Sequence, residues 1–189
     1  MCIRDRIHNR YLVAETDDGL EVIDQHALHE RILYEALRER VLAGAVESQR
    51  LLVPEPIDMS ASEAAAALEN RDVLSRLGME VEAFGGETVL VSAYPAMLAN
   101  LPPGEVLRSL VEPLLAGGPQ PASRDVLDEL LHMIACKAAV KYGDRLTPQE
   151  IDALLEQRGS AQDHHHCPHG RPTALVFTRE QLDRQFKRI

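Results

Sequence analysis

Asp24-Gln25-His26-Ala27-Leu28-His29-Glu30-Arg31-Ile32-Leu33-Tyr34-Glu35 is the stretch from which the rest of this 189-residue chain is read. Asp24 is a residue type that caps helices, and Ala27, Leu28, Ile32, Leu33, Leu37 and Val41 recur at helical spacing until Gly44 stops the pattern. Immediately upstream, Tyr11–Thr16 and residues 20–23 alternate like strands around the turn Asp17-Asp18-Gly19, which predicts a hairpin with a three-residue loop. A strand pair therefore hands over to a helix at Asp24, and the fold is expected to mix sheets and helices.

Beyond that helix, Gln49 to Pro56 carries two prolines and is read as an extended connector. Ser60-Ala61-Ser62-Glu63 is a capping box that opens an alanine-rich helix expected to run to Gly78. Residues 79–84 and 88–93 flank Gly85-Gly86 as a second hairpin, followed by a helix from about Gly104 to Leu115. Gly117-Gly118-Pro119-Gln120-Pro121 reads as a flexible break and Ser123 as the cap of a long helix through Ala138. Thr147-Pro148-Gln149-Glu150 joins a capping box to proline at the first helical position. Residues 160–166 read as a loop, residues 173–177 as a short strand, and Thr178-Arg179-Glu180-Gln181 as the cap of a final helix. This order predicts an α/β (mixed α+β) platform from residues 1–48 and 123–189, with a second unit inserted at 49–122. No internal repeat is present, and the glycine pairs lack the strand-loop-helix setting and Lys-Ser/Thr of a phosphate loop.

Lys+Arg 20 against Asp+Glu 30 leaves a formal charge of −10, and 45% hydrophobic with 26% charged residues is globular composition. Such a chain is expected to hold DNA poorly by itself, since duplex affinity comes largely from cations that neutralise phosphates. No run reaches the roughly 18 apolar residues of a membrane helix, and the start is too polar for a signal peptide, so a cytoplasmic location is the expectation. Cys2, Cys136 and Cys167 are too scattered for a disulfide scaffold and are read as thiols or metal ligands.

Three clusters carry chemistry. On a helix beginning near Asp24, His26 and Glu30 share a face, with the Asp24 carboxylate beside the first turn; a capped, solvated charged helix has the same pattern. Cys167-Pro168-His169-Gly170-Arg171-Pro172, preceded by His164-His165-His166, sets a thiolate and an imidazole two residues apart, donors suited to tetrahedral zinc. A buried small cysteine beside a solvated histidine loop is the plain alternative. Paired, the clusters offer His26, Glu30, Cys167 and His169 as one ligand set and leave Asp24 for a harder cation. In Ala135 to Asp144, Lys137 and Lys141 stand one turn apart on an expected helix, as phosphate contacts or as ordinary surface lysines.

Asp24 to Glu35 matches the DQHA-x2-E-x4-E signature of the C-terminal domain of MutL, the mismatch repair endonuclease family. Ala135 to Asp144 is similar to that family's ACR-x-AVK-x-GD segment, departing at Lys137, where charge is kept but the guanidinium fork is lost. Residues 167–172 resemble its CPHGRP segment, and Phe186-Lys187-Arg188 its terminal F-x-R element. The resemblance runs from His8 to Ile189, whereas residues 1–6 fit no part of the pattern and are expected to be foreign to it.

The resemblance implies a dimerisation subdomain bearing the metal site, an inserted regulatory subdomain, and single-strand nicking of double-stranded DNA in the self-nicking branch of the family. It maps the metal ligands to His26, Glu30, Cys167 and His169 with Asp24 beside them, and catalysis to Asp24, His26 and Glu30. By donor chemistry, zinc as a structural or regulatory ion suits the Cys/His set, and manganese or magnesium as the catalytic ion suits the carboxylates. Lys137, Lys141 and Arg171 are candidate phosphate contacts. Gln49, Leu52 and Pro54 resemble the family's Q-x2-L-x-P segment for docking on the replication sliding clamp, or else form a connector whose leucines face the core. The expected partners are a second copy in a homodimer, the clamp, DNA and, through an ATPase half outside these residues, the mismatch recognition protein MutS. The competing reading is a zinc-stapled dimerisation and clamp-docking module without activity in isolation.

Overall fold

The computed structural model describes residues 2–44, 46–116, 124–159, 165–167 and 170–189, which divide into two compact units. One is Met1–Glu35 with Ala139–Ile189, the other Ala36–Ala138. The division falls inside one helix and at the end of another, whereas the sequence predicts it at residues 49 and 122.

In the first unit, β1 (Cys2–Ile7), β2 (Tyr11–Thr16) and β3 (Gly19–Asp24) form successive antiparallel hairpins, and β7 (Ala174–Thr178) pairs antiparallel with β3. The sheet order is β1-β2-β3-β7. Thus the first residues, expected to stand outside the family pattern, supply an edge strand. The expected three-residue loop is also shorter: Thr16 pairs with Gly19, so only Asp17-Asp18 connect β2 to β3. Gly19 serves a different end, because β7 passes so close that a Cβ there would lie 2.1 Å from the Phe177 carbonyl oxygen. Between β1 and β2, His8 and Asn9 both take positive φ, 53° and 52°, which suits the twist of a tight hairpin.

Helix α1 (Gln25–Ala43) follows β3 without a loop. Leu28 and Ile32 of this helix join Leu12, Ala14, Ile23 and Leu154 in the unit's core. Leu154 comes from α6 (Pro148–Arg158), whose capping box is formed by Thr147 and Glu150 as the sequence predicts. Glu21 is buried on the sheet and is neutralised by both guanidinium nitrogens of Arg158, at 2.8 and 2.6 Å. A short α7 (Arg179–Gln185), capped by Thr178, closes the described chain.

The second unit sets a three-stranded antiparallel sheet, in the order β4-β6-β5, among helices; the strands are β4 (Ser48–Asp58), β5 (Glu80–Gly85) and β6 (Thr88–Pro95). The expected connector is in fact β4, an edge strand, where prolines are tolerated because a missing N–H costs no ladder bond. The alanine-rich helix is two pieces, α2 (Ala61–Glu69) and α3 (Arg71–Arg76), since buried Asn70 donates its side-chain amide to Ala66 O at 2.8 Å and breaks the run. After a single 3₁₀ turn at Ala96–Leu98 come α4 (Pro103–Ala116) and α5 (Arg124–Ala138). The Gly117 to Pro121 break and the Ser123 cap lie outside the described residues. Leu74, Leu77, Met79, Val89, Val91, Leu98, Leu107 and Leu110 fill the interior.

Candidate metal centre

Asp24 ends β3 and caps α1: its Oδ1 accepts from the backbone N–H groups of His26 and Ala27 at 3.0 and 3.1 Å. Its Oδ2 is left for the Tyr142 hydroxyl at 3.4 Å. One turn into the helix His26 and Glu30 are buried, Glu30 completely. Burying a carboxylate is costly unless a cation compensates it, and the guanidinium of half-exposed Arg171 stands 3.9 Å from Glu30.

The imidazole of His26 is fixed by its neighbour Val140. Its Nδ1 lies 2.7 Å from the Val140 carbonyl oxygen, which only accepts, so Nδ1 carries a hydrogen and, in the neutral ring, Nε2 is the lone-pair nitrogen. This is the arrangement in which ligating histidines are held by an outer partner. The same peptide unit's residue treats His29 oppositely, donating the Val140 N–H to His29 Nδ1 at 3.1 Å. Burial, and then the proximity of His26, lower the pKa of His29. One residue's backbone thus gives the two histidines opposite tautomers.

The second segment is tied to the first by backbone bonds. Asp24 N–H donates to Thr173 O at 2.8 Å, Thr173 N–H to His165 O at 3.0 Å, and Arg31 Nε to His166 O at 2.6 Å. His166 bridges Pro172, and Cys167 both accepts from Gly170 N–H and donates to Arg171 O, at 2.8 and 2.7 Å, so the segment turns back on itself. Cys167 is buried while His165 and His166 are exposed. Arg171 joins the two segments: its guanidinium is held charged first by a hydrogen bond to Cys167 and also by Tyr142 and Glu30. The Tyr142 ring stands 4.9 Å from that of His26, and burial, then the Asp24 carboxylate, push its hydroxyl pKa up, which keeps it a donor.

Asp24, His26, Glu30 and Cys167 therefore share one neighbourhood with Arg171 and Tyr142. Among the described residues no group of three or more His, Cys, Asp and Glu side chains is arranged to hold a metal ion. His169, the fourth residue of the expected zinc set, and His164 lie outside the described residues. The donor chemistry fits zinc nonetheless: an imidazole with Nε2 presented, a buried carboxylate and a buried thiol are nitrogen, oxygen and sulfur ligands of the kinds it takes.

The two lysines do not share a helix as expected. Helix α5 ends at Ala138, one residue past Lys137, and Lys141 follows in a turn where its N–H donates to Asp144 Oδ2. Lys137 pairs with Glu105 at 3.0 Å, so its ammonium is occupied within the second unit. In β4, pairing with β6 breaks between Arg50 and Glu55, and Leu52 is 104% exposed, so this leucine does not face a core.

The family sequence model described as MutL C terminal dimerisation domain matches residues 5–146. The chain belongs to this family. Among relatives named DNA mismatch repair protein MutL, that of Phenylobacterium zucineum is 37% identical over 185 residues, covering 98% of this chain and 30% of its own. Those of Geotalea uraniireducens and Geotalea daltonii are 40% and 38% identical over 178 residues, covering 94% of this chain and again 30% of theirs. The chain thus spans about 30% of the length of the curated MutL relatives it matches. No helix among the described residues is long and apolar enough to cross a membrane.

Sequence reasoning gave no role to Gln25, Val140 or Tyr142. Buried Gln25 donates through Nε2 to Asn9 O at 2.7 Å and to Asp144 O at 3.4 Å, holding the first turn against the loop that carries Tyr142. Its place inside the signature was the available signal. The Val140 carbonyl had none, because backbone groups leave no mark on residue identity.

Proposed function

We propose that this MutL C-terminal domain is a metal-dependent endonuclease that nicks one strand of duplex DNA by phosphodiester hydrolysis in mismatch repair. The observation that supports the reading is the His26 hydrogen bond: the Val140 carbonyl engages Nδ1–H, which leaves Nε2 of the neutral ring free to act as a ligand, while Glu30 and Cys167 are buried. Zinc would be held by His26, Glu30, Cys167 and His169, as a structural or regulatory ion, and manganese or magnesium by Asp24 and Glu30. When bound, the cations neutralise phosphate charge and lower the pKa of an attacking water. Asp24 is half-committed to capping α1 and presents its other oxygen, while Arg171, more than half exposed, supplies positive charge where phosphate would approach.

The same reading assigns partners. A second copy would cover the exposed apolar residues Leu175, Val176 and Phe177 of β7 to make a homodimer. Gln49, Leu52 and Pro54, with Leu52 projecting where β4 leaves its ladder, would dock on the replication sliding clamp. The clamp would raise the local concentration of DNA at a domain of net charge −10. MutS would be reached through the rest of a full-length protein, in the cytoplasm.

The test is nicking of supercoiled plasmid by the purified chain with manganese. Asp24→Asn keeps the shape of the cap but deletes the anchoring charge, so activity should fall by more than the roughly 10–100-fold that loss of an outer-shell partner costs. Equal nicking by Asp24→Asn would remove Asp24 from catalysis. A chain that binds zinc and clamp yet never nicks would be the docking module instead.

A further inference from the structure

Arg10 lies outside every motif considered so far. It follows the tight β1–β2 turn, where Arg10 N–H donates to Ile7 O at 3.0 Å. That turn is locked onto the active-site loop: Asn9 O accepts from Gly143 N–H at 3.3 Å and from the buried Gln25 side chain at 2.7 Å, and Arg10 O accepts from Gln25 N–H at 3.0 Å. The guanidinium is set 5.2 Å above the Tyr142 ring. Tyr142 in turn packs its ring on His26 and gives its hydroxyl to Asp24 Oδ2. Among the described residues Arg10 forms no ion pair, and it is exposed. A cation carried on a turn whose backbone is fixed by these hydrogen bonds, stacked on an aromatic and given no carboxylate, is preorganised for an anion from outside.

We propose that Arg10, propped on the Tyr142 ring, contacts a backbone phosphate of the DNA strand entering the metal centre, and that the Tyr142 hydroxyl positions the Asp24 carboxylate. This rests on the nicking function proposed above and adds the residues that receive its substrate. The physical need is plain in a chain of net charge −10, because anionic metal anchors repel a phosphodiester unless cations stand at the rim. Guanidinium suits the task, since it pairs with phosphate oxygens while keeping its face on a ring.

The two roles separate by experiment. Binding of a fluorescent duplex to the purified chain is measured by anisotropy across a salt series, and nicking rate at saturating DNA is measured alongside. Arg10→Gln should weaken binding and reduce the slope of log affinity against log salt by about one, whereas Arg10→Lys should restore the slope. Tyr142→Phe keeps the ring, so it should preserve binding and slope but slow nicking at saturation; Tyr142→Leu should lose both. A parent-like slope in Arg10→Gln, with duplex binding intact, would overturn the phosphate contact and leave the nicking function standing. Undiminished turnover in Tyr142→Phe would overturn the positioning role. No salt-dependent duplex binding by the parent would overturn the phosphate contact, and no nicking of plasmid by the parent with manganese would sink the function beneath it.

Discussion

In the unit made of Met1–Glu35 and Ala139–Ile189, Glu21, Gln25, His26, Glu30 and Thr173 are buried among apolar side chains; in Ala36–Ala138 the one buried polar residue among those described is Asn70. Asn70 satisfies its own helix end and leaves an interior of leucine, valine and methionine. In the first unit the polar residues have divided duties. Glu21 is matched by Arg158, and Gln25 is spent on holding two loops together. His26 and Glu30 add nothing that apolar side chains would not do better for packing, since burying polar groups costs stability that neither hydrogen bonds nor ion pairs fully return. The contrast locates in the first unit a burial cost that packing alone does not explain.

The largest effect is expected at the buried ion pair. Arg158→Met should destabilise the chain by about 3–5 kcal/mol by stranding Glu21, whereas adding Glu21→Met should recover most of it, as replacing a whole buried pair with apolar groups does. Chemical denaturation of the single and double variants measures this, and a double variant no better than the single would mean that Glu21 serves more than its pair. In the second unit Leu107→Ala should cost roughly 2–5 kcal/mol through lost burial and a cavity, with no apolar replacement able to restore it except one of similar size.

Smaller effects sharpen the contrast by showing where the units are alike. Both use capping boxes on exposed helix starts, Ser60 with Glu63 in one and Thr147 with Glu150 in the other. Ser60→Ala and Thr147→Ala should each cost about 1 kcal/mol, independent of the chemistry buried behind them; a much larger loss at Thr147 alone would mean that α6 carries the core of its unit. The smallest effect is a pH dependence. The His29 pKa is lowered in the fold from 6.5, so its contribution is full above pH 6.5 and is lost as pH falls toward the folded value. Thermal melts between neutral pH and pH 5 should show a shallower acid decline in His29→Gln than in the parent, and superimposable acid limbs would assign the decline elsewhere.

Much of this was legible in the residues. The helix at Asp24, both hairpins and the capping boxes at Ser60, Thr147 and Thr178 followed from local patterns, because caps and alternation act over a few residues. The break at Asn70 and the pairing of β4 were not, since the first depends on one buried amide and the second on a partner strand far along the chain. At the site, ligand types were visible in Asp24, His26, Glu30 and Cys167. The tautomer set by Val140, the bracing by Gln25 and the stack of Arg10 on Tyr142 were not, because each depends on segments over a hundred residues apart in sequence or on backbone atoms common to all residues.

If His26, Glu30 and Cys167 of the first unit belong to a metal centre as proposed, zinc content is where it shows. Elemental analysis of the purified chain should find about one zinc per chain, the closed occupancy of a structural site, with a clear loss in Cys167→Ser. A folded chain without zinc after zinc supplementation, or a Cys167→Ser variant retaining the parent's zinc, would contradict it.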